Sequence, residues 1–126
     1  MRRLPGDVLE LLDRTREVEI ETAQPSRGPD ATRRTVIWIV VDEGDVFVRS
    51  VRGEKGAWYR VLLRHPDATI HADGQAIRVR AVKAGDPDSI ERTSRALQRK
   101  YKRFRASLAA MVQPHTLATT LRLEPA

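Results

Sequence analysis

Arg33, Arg34 and Thr35 stand at the start of one apolar, β-branched run, and Arg49, Ser50, Val51, Arg52 and Lys55 stand at the end of the next. Guanidinium groups, a hydroxyl and the amides around Gly53 and Gly56 are the donors a phosphate needs, each charge-assisted bond contributing roughly 1.5–3 kcal/mol. Trp58 and Tyr59 follow at once and offer flat surface to a ring. The bland reading of the same stretch is a solvated basic loop with Trp58 anchored in a core.

Whether the two clusters meet depends on the runs that carry them. TVIWIVV (residues 35–41) is continuously apolar and β-branched, as in a strand covered on both faces. Asp42-Glu43-Gly44-Asp45 is a tight-turn signal and DVFVRSV follows it, so a hairpin is expected. In an antiparallel pair the start of one strand lies beside the end of the other, which sets Arg33, Arg34 and Thr35 beside Ser50, Val51 and Arg52.

The rest of the chain must support that hairpin. Val8, Leu11 and Leu12 sit at helical spacing behind Asp7, a candidate cap, and Val18, Ile20 and Thr22 alternate with glutamates as a half-buried strand. Residues 24–33 carry two prolines and a glycine and read as a loop. A short helix over residues 58–63 ends before Pro66, and a second hairpin turns at Asp73-Gly74. From Pro87 to Val112 the residues Ile90, Leu97, Tyr101, Phe104, Leu108 and Met111 mark one apolar face of a long helix. Alternation at Leu117, Thr119, Leu121 and Leu123 gives a last strand. Six strands joined mainly by hairpins bury their apolar faces best by closing, so the expected fold is a mainly-β α+β domain over residues 1–126. It is a six-stranded antiparallel barrel with the long amphipathic helix packed against it.

Composition narrows the chemistry. The 126 residues are 40% hydrophobic and 32% charged, with a net charge of +6 and no cysteine. That is too apolar for a disordered chain, excludes thiolate chemistry and disulfides, and favours an anionic ligand or nucleic acid as partner. No run approaches the ~18 apolar residues of a membrane span, and acidic residues interrupt the opening MRRLPGDVLELLDR, so a cytoplasmic location is expected. His65, His71 and His115 lack partners at zinc-ligand spacing, so no metal is expected. No Ser-His-Asp context or phosphate-loop motif of nucleotide hydrolases occurs. Arg92, Arg95, Arg99 and Lys102 form a basic stripe that can meet nucleic-acid phosphates, but such a stripe is more commonly the wet side of an amphipathic helix. No strand interleaves aromatic and basic residues, which argues against a stacking platform for single strands.

TRRTVIWIVV, DVFVRSVRGEKGAWYR, ERTSRALQRKYKRF and ATTLRLEP together resemble a bacterial family, domain of unknown function 2255, over residues 7–126. That family is similar to the split β-barrel group of pyridoxamine-phosphate oxidases and deazaflavin-dependent nitroreductases. The resemblance implies a six-stranded split barrel, oxidoreductase-like, that binds FMN or a deazaflavin (coenzyme F-420) and pairs as a homodimer. It implies cofactor contacts from Arg34, Thr35 and Ile37, from Arg49, Ser50, Val51 and Arg52, and from Gly53, Lys55, Gly56, Trp58 and Tyr59. Two further readings stay open: a barrel of the same fold that binds anions or partners without catalysis, and a nucleic-acid binder acting through the stripe.

Overall fold

The computed structural model describes residues 2–126. Helix α1 (Gly6–Arg14) leads into strand β1 (Val18–Ala23), followed by β2 (Thr32–Ile37), β3 (Val40–Asp42) and β4 (Asp45–Val48). Helix α2 (Ala57–Arg64), strands β5 (Asp67–Ala72) and β6 (Gln75–Lys83), helices α3 (Pro87–Lys100), α4 (Arg105–Met111) and α5 (Pro114–Leu117), and strand β7 (Leu121–Pro125) complete the chain. No helix among the described residues is long and apolar enough to cross a membrane.

All strands belong to one antiparallel sheet in the order β2-β1-β5-β6-β7-β4-β3. Strands β2 and β3 are its two edges, yet only Trp38 and Ile39 separate them along the chain. The sheet must therefore curl until its edges approach, giving a half-open barrel. The expected single strand over residues 35–41 is thus two strands, and the sheet has seven strands rather than six. The run starts earlier, at Thr32, pairs with β1 as far as Ile37, then crosses to the other edge to pair with β4.

Both expected hairpins form. Glu43 and Gly44, at φ 48° and 82°, and Asp73 and Gly74, at φ 47° and 76°, are the paired left-handed residues of the two-residue turns that suit twisted strands. Their ladders set Val40 opposite Phe47 and Ile70 opposite Ile77.

The expected long helix is interrupted. Helix α3 stops at Lys100 and α4 starts at Arg105, because Tyr101 is committed elsewhere. Its fully buried phenol accepts from the Ile39 amide at 3.2 Å and donates to the Arg16 carbonyl at 2.6 Å, clamping the β2–β3 crossing to the start of β1. Lys100 donates to the carbonyls of Leu12 and Ile39 at 2.8 and 2.7 Å. Past the break Phe104 is 38% exposed, and so is not the core residue its spacing predicts. Two smaller differences accompany this one. Asp7 lies in the first turn of α1 behind Pro5 and makes no cap bond, and Leu117 ends α5, so the last strand starts at Leu121.

One core cluster fills the curled sheet beneath α1 and α2, with Leu12, Ile20, Ile39, Ile70 and Val79 at its centre. A second, of Val40, Phe47, Ala96, Leu97, Tyr101 and Met111, holds α3 and α4 against β3 and β4. Arg92 fastens the same layer by donating to Asp42 at 2.7 Å and Asp45 at 2.9 Å, and Arg99 reaches Asp42 at 3.3 Å. Arg95 meets Glu91 at 4.0 Å on the helix surface, so three of the four stripe residues are engaged in ion pairs within the fold.

Candidate functional site

The crossing at Trp38 creates the site. Were the β3–β4 ladder to continue, Trp38 would face Arg49, Val36 would face Val51 and Thr35 would face Arg52. Instead β2 leaves to pair with β1, and the space between β2 and the segment after β4 becomes a groove of about 510 Å³. Thr35 and Arg52 thus both line a groove and are not paired in a ladder, which corrects the hairpin contact expected from the sequence.

Of the residues that the sequence nominated, Thr35, Ile37, Arg49, Ser50, Val51, Arg52, Gly56 and Trp58 line the groove, and Arg33 joins them. Arg34 does not. Strand alternation turns it to the other face of β2, where it meets Glu19 at 3.6 Å and Glu21 at 3.8 Å. Tyr59 is buried in the core beneath α2, and Lys55 is exposed outside the lining. Gly53 lies outside the lining too and shapes the loop from behind: its φ is +64°, and a Cβ there would stand 2.7 Å from the His115 carbonyl.

The loop after β4 is self-satisfied. Ser50 donates its hydroxyl to the Gly53 carbonyl at 2.8 Å and its amide to Thr119 Oγ1 at 3.1 Å, while the amides of Gly53 and Gly56 donate to Ser50 and Gly53. The expected glycine amides are therefore spoken for. The free donors lie one step on, at the N-terminus of α2. The cap position there is Gly56, which has no side chain, and the first helical bond runs from the Arg60 amide to Gly56. The amides of Ala57, Trp58 and Tyr59 have no intrahelical acceptor, and Gly56, Ala57 and Trp58 line the groove.

Residues that the sequence did not nominate close the other side. Trp38 lies flat on Tyr101, with centroids 3.8 Å apart and planes within 1°, and Phe104 tilts toward it at 6.1 Å. Arg16 stands over the Phe104 ring at 5.3 Å, and Ala110 and Met111 extend the apolar wall. Trp38 was hidden in a uniformly apolar run, and Phe104 and Met111 in a helical repeat. The charged lining is Arg16, Arg33, Arg49 and Arg52 against Glu17 alone, so the groove favours anions. Burial lowers the Arg49 pKa to about 10, which leaves the guanidinium charged at neutral pH.

The curled, half-open antiparallel sheet is shared architecture. The structure superposes on an F420-H2-dependent reductase at 14% identity and a TM-score of 0.62, covering 90% of this chain and 97% of that one. It superposes on an FAD-binding protein from Mesorhizobium loti at 12% identity and 0.65, covering 98% and 90%. A protein solved as a domain-swapped dimer matches at 14% identity and 0.64, covering 95% and 87%. These likenesses establish a fold. The chain itself belongs to the family described as uncharacterized proteins conserved in bacteria, DUF2255, whose model matches residues 8–123. No curated protein matches it by sequence.

Proposed function

We propose that the groove binds a phosphate-bearing planar redox cofactor, FMN or a deazaflavin such as coenzyme F-420, and that the protein is oxidoreductase-like. One observation carries the reading: aromatic walls at Trp38, Phe104 and Trp58 flank a lining of four arginines and one carboxylate, beside an uncapped helix N-terminus. The residues present fit such a group. Arg33 and Arg52, with the amides of Ala57 and Trp58, would hold the phosphate, while Trp38, Phe104 and Met111 would bound the ring and exclude water from one side. When bound, the cofactor supplies hydride transfer, and the chain's part is to bind and orient. Val36, Val51 and Phe104, exposed at 57%, 47% and 38%, are the apolar margin that a second copy would cover, so a homodimer belongs to the same reading. A cytoplasmic location belongs to it as well.

The test is the ultraviolet–visible spectrum of purified protein incubated with each coenzyme and then desalted. Retention of FMN or F-420 is expected; retention of neither, over a range of salt concentrations, would sink the proposal. The non-catalytic alternative uses the same groove. Bound coenzyme that no reductant or acceptor turns over would select it. The nucleic-acid reading loses ground with Arg92 and Arg99 tied to Asp42.

A further inference from the structure

Arg49 is 2% exposed, yet no carboxylate among the described residues pairs with it. Its guanidinium donates to Thr120 Oγ1 at 3.0 Å, Ser94 Oγ at 2.9 Å, and the carbonyls of Met111 and Ile90 at 3.2 and 2.9 Å. Four of its five N–H donors thus staple β4 to α3, to the end of α4 and to the turn before β7. All four acceptors are neutral. The four bonds hold the guanidinium in place, but none of them neutralises its charge, and a cation buried without a counter-ion is costly. Arg92, half-buried and outside the groove lining, is by contrast paired with two aspartates. Arg49 differs in lining the groove, beside Ser50 and Met111.

We infer that Arg49 makes its wall of the groove selective for a ligand whose planar part is itself anionic, separately from any phosphate held by Arg33 and Arg52. Arg49 provides a fixed positive charge in a water-poor wall, so a negative charge delocalised over an adjacent ring gains an interaction that a neutral ring of the same shape does not. The inference rests on the groove being a planar-ligand site, as proposed above, but not on which coenzyme occupies it.

Two planar probes of nearly one shape test it: resorufin, whose fused rings carry a delocalised negative charge at neutral pH, and its methyl ether, which is neutral. Ser94→Asp places a carboxylate on Arg49 without touching the groove lining, and Ser94→Asn is its uncharged counterpart. The wild type and Ser94→Asn are expected to prefer the anionic probe, and Ser94→Asp to weaken that probe about tenfold while leaving the neutral one unchanged. Excess inorganic phosphate should leave the preference in place. Arg49→Lys and Arg49→Gln offer a second route, lysine keeping the preference and glutamine losing it. An equal ratio of affinities in the wild type and Ser94→Asp overturns the role of Arg49 while the cofactor reading stands. If neither probe binds the wild type, the groove is no planar-ligand site and both fall.

Discussion

The indole of Trp38 lies on the phenol of Tyr101 with ring planes within 1° and centroids 3.8 Å apart, and this stack forms where the chain crosses from one sheet edge to the other. One face of the crossing is thereby fixed by α3, and Trp38 is left to line the groove. Fold closure and site share this contact.

Tyr101 is accordingly expected to govern stability. Tyr101→Phe keeps the stack but strands the Ile39 amide and the Arg16 carbonyl, at a cost of about 1–3 kcal/mol. Tyr101→Ala also removes the ring and should cost about 3–5 kcal/mol. Urea unfolding followed by far-ultraviolet circular dichroism reads both, and a Tyr101→Ala protein as stable as wild type would contradict the clamp.

The same phenol gives a signature in alkali. Burial raises the Tyr101 pKa to about 12 from its ordinary 10.0. The folded state then holds a proton that the unfolded chain releases, so this contribution is complete below pH 10 and is lost as pH rises toward 12. Burial, with Glu54 adding repulsion, raises Tyr59 as well. Absorbance titration of tyrosinate should show no step at the ordinary value in folded protein, and ionisation should accompany unfolding. A reversible step there without loss of structure would place the phenol in water.

Much of this was legible in the chain, and the parts that were not share a cause. Glu43-Gly44 and Asp73-Gly74 announce their hairpins because few residue pairs accept two successive left-handed conformations. The bend at Trp38-Ile39 announces nothing, since TVIWIVV is equally apolar and β-branched on both sides of it. The α3–α4 break is silent for the same reason: the steps through Tyr101, Phe104 and Leu108 keep helical spacing while the environment changes from core to groove. Arg33 and Arg52 do converge on one groove, but Arg34 is turned away by the strand alternation that brings Arg33 in. Local chemistry was readable; the point at which the barrel opens is a property of the whole sheet.

Gly53 should resist replacement. Gly53→Ala must hold a left-handed φ of +64° and push a methyl against the His115 carbonyl, costing about 1–3 kcal/mol. A lowered midpoint in thermal unfolding is expected. Gly74→Ala is the control for backbone strain alone, since nothing lies within 4 Å of a Cβ at Gly74. Equal losses at the two positions would mean that the His115 contact contributes nothing.

The phosphate seat separates from the ring wall by ligand choice. Arg52→Ala should weaken FMN by about 10- to 100-fold while leaving riboflavin, which lacks the phosphate, little changed. Calorimetric titration of both ligands into both proteins measures the difference. Parallel losses for FMN and riboflavin would move Arg52 from the phosphate to the ring.

Fluorescence offers the most direct test of the groove, because both tryptophans of the chain, Trp38 and Trp58, line it. Titration of the wild-type protein with FMN and, separately, with coenzyme F-420 should give saturable quenching with a dissociation constant of roughly micromolar order for at least one of them, reversed by excess unlabelled phosphate ester. Unchanged emission with both coenzymes, at low and at high salt, would contradict the assignment of this groove as a cofactor site.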